Sequence, residues 1–176
     1  MDNIIIGKNS FNDSDPYAAI QSNISVVNVL RNHDLFLEEM HPAQAGSYFL
    51  DYYHAQCRNG GFAQFVWNSS WETDMIEGIH QTLKDIGAKQ HLDYFEKRME
   101  VVNGLPDGAL DSFLEEDYFS DSDTKEKLHD DSFYAIEEDL ITLHSNWIKN
   151  HPDLIVAETK DEMYALMEKM VGPIER

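Results

Sequence analysis

Apolar residues recur at helical spacing along most of the chain. Tyr17, Ile20, Ile24 and Val27 follow Asp15-Pro16, an N-cap and a first-turn proline, and predict a first helix of about sixteen residues. Pro42 opens a second helix with Ala45, Phe49, Tyr52 and Gln56 on one face. Asn59-Gly60-Gly61 stops it, because glycine and asparagine tolerate left-handed dihedrals. A short apolar piece, Phe62 to Trp67, comes next. Met75, Ile79, Leu83 and Ile86 mark a helix ended by Gly87, and Leu92, Phe95, Met99 and Val102 mark one ended by Gly104. Beyond Pro106, Leu110, Phe113 and Leu114 predict a short acidic helix. Ile136, Leu140, Leu143 and Trp147 predict the buried stripe of a longer one, running back through Glu126 and ending before Pro152. Thr159 with Glu162 forms a capping box for a last helix that carries Met163, Met167 and Met170 and stops at Gly172-Pro173. Ile4 to Ile6 and Leu154 to Ala157 are the strand-like segments. The expected fold is mainly α: a single-domain bundle of about seven or eight helices with at most one short strand pair. One acidic domain is expected over residues 1–176, with residues 1–14 as an arm.

Charge changes the picture more than composition does. The 42% hydrophobic and 11% aromatic residues suffice for an ordinary core, but 13 Lys and Arg stand against 33 Asp and Glu, a formal net charge of −20. Such an excess opposes direct contact with nucleic-acid phosphates or an anionic membrane and points to basic, cationic or metallic partners. No window approaches the roughly 18 consecutive apolar residues of a membrane span. Cys57 has no second cysteine to pair with, and Ile4-Ile5-Ile6 is shorter than a signal peptide needs, so a cytoplasmic protein is expected.

The acids are unevenly placed. Asp107, Asp111, Glu115, Glu116, Asp117, Asp121, Asp123, Glu126, Asp130, Asp131, Glu137, Glu138 and Asp139 all fall between Leu105 and Leu140, opposed only by Lys125 and Lys127, a net of −11. Helical neighbours of like charge oppose one another by a few tenths of a kcal/mol per pair. So dense an array is either a solubility face or a surface that holds a basic partner. Asp121 and Asp123 begin like a calcium loop, which then fails at Lys125, Glu126 and Ser132. None of His33, His41, His54, His80, His91, His129, His144 and His151 forms an i, i+4 pair or an HExxH context. His54 and Cys57 lie three apart, but a thiolate at a helix C-terminus is opposed by the macrodipole, and a packed thiol is expected. Without a GxGxxG, a phosphate loop or a GxSxG elbow, no catalytic residue, metal or cofactor is assigned.

The segment Arg58 to Ser70 is the most distinctive local stretch. Asn59-Gly60-Gly61 reads as a tight reversal, with Phe62, Phe65 and Val66 entering the core and Gln64 and Asn68 satisfying backbone groups freed by the turn. At this corner the sequence resembles a bacterial family of small α-helical proteins marked by an NGGFxQFxxN motif, matched by Asn59, Gly60, Gly61, Phe62, Gln64, Phe65 and Asn68. The resemblance implies a DNA mimic, an acidic homodimer that occupies the DNA-binding surface of a helix-turn-helix transcription factor.

The expected function is therefore non-catalytic. The thirteen carboxylates imitate the phosphate array of double-stranded DNA, block operator binding by a basic helix-turn-helix factor and so regulate transcription. Tyr118, Phe119, Phe133 and Tyr134 are interleaved with them as candidate apolar contacts. The alternative is an immunity or antitoxin-like protein that caps a basic toxin nuclease. Neither reading involves direct nucleic-acid or membrane binding.

Overall fold

The computed structural model describes residues 3–175. Among these the chain is mainly α, as the sequence predicts, with nine α-helices, two 3-10 turns and one pair of short strands. Two compact units emerge, Met1–Phe49 with Asp139–Arg176, and Leu50–Glu138.

In the first unit, β1 (Ile4–Gly7) pairs in parallel with β2 (Leu154–Ala157), Ile4 opposite Leu154 and Gly7 opposite Ala157. Successive strand side chains point to opposite faces. Ile5 accordingly packs with Val26, Val27, Leu30 and Met167, while Ile4 and Ile6 pack with Ala19, Ile20, Ala43 and Ile148. Three consecutive isoleucines are what a strand covered on both faces needs, and α1 (Lys8–Asn12) follows at once. The arm expected at residues 1–14 is thus a buried strand and a helix over residues 4–12, and Met1 and Asp2 lie outside the described residues. In α2 (Tyr17–Arg31) the predicted start is seen: Asp15 Oδ1 accepts from the Tyr17 N–H at 2.9 Å. A 3-10 turn (Leu37–Glu39) and the first residues of α3 (Pro42–Ser69) come next.

The second unit holds the rest of α3, then α4 (Thr73–Asp85), α5 (Lys89–Asn103), α6 (Ala109–Glu115), α7 (Asp123–Leu128) and a 3-10 turn (Asp131–Ala135). Its core is aromatic. The Tyr53 ring meets Phe65, Phe95 and Phe133 edge-on at 5.1, 5.0 and 6.1 Å. α3 breaks where predicted, at Gly60 (φ −152°, ψ 18°) and Gly61 (φ 76°, ψ −176°), and Phe62–Trp67 continues as helix. It ends in two left-handed residues, Ser70 and Trp71, both at φ 51°. The Trp71 ring, packed on Phe62 at 5.9 Å and Phe65 at 6.3 Å, offsets that backbone strain.

One predicted helix does not form. The span read as a long helix from Glu126 to Trp147 divides into α7, the 3-10 turn and α8 (Leu140–Lys149). Asp130 leaves the helix to accept from the Ser132 N–H at 2.7 Å, and Asp139 restarts one by accepting from the Thr142 N–H at 3.0 Å. Short acidic side chains compete for backbone donors in this way and so favour turns and caps over helix interiors. In the first unit, α9 (Lys160–Val171) starts as predicted, with Thr159 Oγ1 accepting from the Glu162 N–H at 3.1 Å, and ends at Gly172 (φ 81°).

Candidate partner-binding surface

The second unit carries 20 of the 33 acids and 7 of the 13 bases, a net of −13. Twelve of the thirteen carboxylates singled out above belong to it, and Asp139 belongs to the first unit. The structure sorts them by what they hold.

Four act on the fold. Asp130 pairs with Arg98 at 3.1 Å, the two side chains being 23% and 9% exposed, and Arg98 also donates to the carbonyls of Lys127 (3.2 Å) and Leu128 (2.8 Å). Burial pushes the Asp130 carboxyl up. The hydrogen bonds from Ser132 and the Arg98 guanidinium outweigh that and hold it below the usual carboxylate range. Glu138 covers the start of α5, accepting from the N–H groups of Gln90 (3.0 Å) and His91 (3.2 Å), a favourable place for negative charge. Asp139 caps α8, and Asp117 accepts from the Phe119 N–H at 3.0 Å to fix the turn after α6.

Asp107, Asp111, Glu115, Glu116, Asp121, Asp123, Glu126 and Glu137 are exposed, and no cation among the described residues lies within ion-pair range of them. Asp131 is exposed with His129 at 3.6 Å. The nearby Lys125 is otherwise engaged: its Nζ donates to the Tyr118 carbonyl at 2.6 Å and lies 4.4 Å from that ring's centre. These carboxylates come from α6, α7 and the turns around them, so the flank of one long helix expected for Glu126, Asp130 and Glu137 is replaced by several short elements.

The interleaved aromatics separate in the same way. Phe133 is buried against Tyr53 and Tyr94, whereas Phe119 is 87% and Tyr134 53% exposed. Tyr118 lies between these extremes, 5.7 Å from Trp67, whose Nε1 donates to the Glu116 carbonyl at 3.1 Å.

At the glycine corner Phe62 and Phe65 are buried as expected, but Gln64 and Asn68 do not serve the backbone of the turn. Both donate to Gln56 Oε1, at 2.8 and 2.6 Å, tying the two halves of α3 together across the break. Cys57 is buried, and burial pushes its thiol well up, so it stays protonated and packed. His54 contacts His91 and Phe133 instead of forming a thiolate pair. Among the described residues no group of three or more His, Cys, Asp and Glu is placed to hold a metal, and no helix is long and apolar enough to cross a membrane.

Arg98 is the residue that sequence reasoning misses. It lies on the buried face of α5 between Phe95 and Val102, and a cation in an otherwise apolar stripe is the signal that an acid must meet it.

A family model described as DMP19-like protein matches residues 38–151, and the chain belongs to that family. This corrects the resemblance drawn at the glycine corner, since the family shown is a different one from that marked by the NGGFxQFxxN motif. No curated protein and no solved structure matches the chain.

Proposed function

We propose that this member of the DMP19-like family is a non-catalytic inhibitor: its acidic second unit imitates the phosphate array of DNA and occupies the DNA-binding surface of a basic helix-turn-helix transcription factor. The observation that carries the reading is the set of eight exposed carboxylates without a cation among the described residues, within the 105–138 segment of a unit of net charge −13. The reading rests on this charge and not on the glycine corner.

Double-stranded DNA carries about one negative charge per 1.7 Å of axis, so a 30 Å stretch holds roughly eighteen, of which about half face one docked protein. Eight free carboxylates on one unit are of that order. A helix-turn-helix dimer contacts half-sites about 34 Å apart, and a homodimer of this chain would offer one acidic unit to each. Carboxylates carry no base pattern, so selectivity lies in their spacing and in apolar contacts such as those Phe119 and Tyr134 offer.

Affinity capture from native cell extract at low salt, followed by operator competition with the captured factor, tests the proposal. A helix-turn-helix protein released by raised salt and displaced by its operator is the expected result. The double variant Glu115→Lys/Glu116→Lys should abolish capture and keep the helical spectrum, because neither carboxylate holds the fold. A factor that binds this chain and its operator together refutes mimicry, and a captured nuclease replaces it with an immunity role.

A further inference from the structure

We infer that a groove beside Phe119 takes an arginine side chain from the protein partner, the guanidinium lying over the Phe119 ring and pairing with Asp121 and Glu126. The inference rests on the reading that the acidic unit binds a cationic protein, and adds which side chain is selected and where it sits. The groove is lined by Ser120, Asp121, Ser122, Lys125, Glu126 and His129, and its volume of about 310 Å³ gives room for one long side chain.

Next to the lining residue Lys125 stands a ladder of rings that ends in an exposed one. Trp67 lies 5.7 Å from Tyr118, and Tyr118 lies 5.6 Å from Phe119. Trp67 is fixed to the Glu116 carbonyl, and the Phe119 N–H is fixed to Asp117, so the outermost ring stands on a braced turn while remaining 87% exposed. An apolar ring held out in water immediately before the lining residue Ser120 is a surface for a flat partner group.

Neither Lys125 nor His129 lies within ion-pair range of Asp121 or Glu126. Lys125 is turned onto the carbonyl and ring of Tyr118, and His129 lies 3.6 Å from Asp131. The Lys125 contact also shows that the Tyr118 ring accepts a cation. Arginine fits better than lysine: a guanidinium is planar, stacks on an aromatic face and offers a fork of donors to carboxylates, whereas an ammonium is a compact, strongly hydrated point charge.

The test is NMR titration of the full-length ¹⁵N-labelled chain at low salt with N-acetyl-arginine amide and, separately, N-acetyl-lysine amide. The arginine probe should move amide signals of residues 119–129 saturably and bind several-fold more tightly than the lysine probe. Phe119→Leu should remove the preference, Asp121→Asn with Glu126→Gln should remove the binding, and Glu38→Gln, an exposed site in the first unit, should leave both intact. Equal response to the two probes, or shifts spread over all the acidic segments, overturns the inference. Operator competition reads the proposed function separately. Arginine selectivity in a chain that captures no DNA-binding protein keeps this inference and ends that reading, while a captured factor bound equally well by Phe119→Leu does the reverse.

Discussion

Asp130→Asn separates carboxylates that hold the fold from those free to hold a partner. The substitution keeps an oxygen for the Ser132 N–H but removes the charge facing Arg98, whose side chain is 9% exposed. Stripping the partner from a buried ion pair costs about 3–5 kcal/mol. Here Asp130 is 23% exposed and Arg98 keeps the carbonyls of Lys127 and Leu128, so the expected loss is smaller, about 2 kcal/mol. For a chain of this length that corresponds to roughly 4–8 °C in Tm. Urea unfolding followed by circular dichroism and calorimetry measures both. The loss should persist at 1 M salt, where the Debye length is about 3 Å, because the pair is shielded from solvent ions. The folded-state pKa of Asp130 lies below its unfolded value, so its contribution is full above about pH 3.9 and is lost as pH falls through the folded value. Asp130→Asn should lack that limb. Glu115→Gln, at an exposed site without a partner among the described residues, should change stability by less than about 0.5 kcal/mol. A change under about 0.5 kcal/mol for Asp130→Asn would refute the division into structural and free carboxylates.

Four further outcomes follow from other parts of the molecule. Burial lowers the His91 pKa against the opposing pull of Glu138, so His91 is neutral when folded, and stability should fall as pH drops below about 6.5. His91→Gln should flatten the urea midpoint between about pH 6.5 and 5, and an unchanged slope would exclude this residue as the cause. Gly61 adopts a glycine-only conformation with open space around its Cβ position, so Gly61→Ala should destabilise by about 1–3 kcal/mol through the backbone alone. Gly60→Ala acts differently in the same assay, because a Cβ there would sit 2.0 Å from Gln64 Oε1 and should break the Gln64–Gln56 bond. Cys57 should resist a water-soluble thiol reagent in the native state and react at the rate of unfolding, so rapid native labelling would contradict its burial and raised pKa.

Much of this molecule is legible without coordinates because the responsible interactions are local. Apolar spacing places α2, α4, α5 and α9, side-chain caps at Asp15 and Thr159 fix two starts, and Gly60-Gly61 breaks α3 through its own dihedrals. The −20 charge and its concentration after Leu105 are properties of composition and stand regardless of fold. What the tertiary structure alone decides depends on partners distant along the chain. β1 meets β2 about 150 residues away, turning an expected arm into a buried strand. Arg98, 32 positions before Asp130, helps draw that acid out of the helix its periodicity predicts. Gln56 gathers Gln64 and Asn68, whose side chains a local reading assigns to the turn. Periodicity reports which face of an element is apolar, but not which polar group from elsewhere will meet a given carboxylate. The total charge is therefore readable from the chain, while the division between acids that hold the fold and acids left free for a partner belongs to the folded molecule.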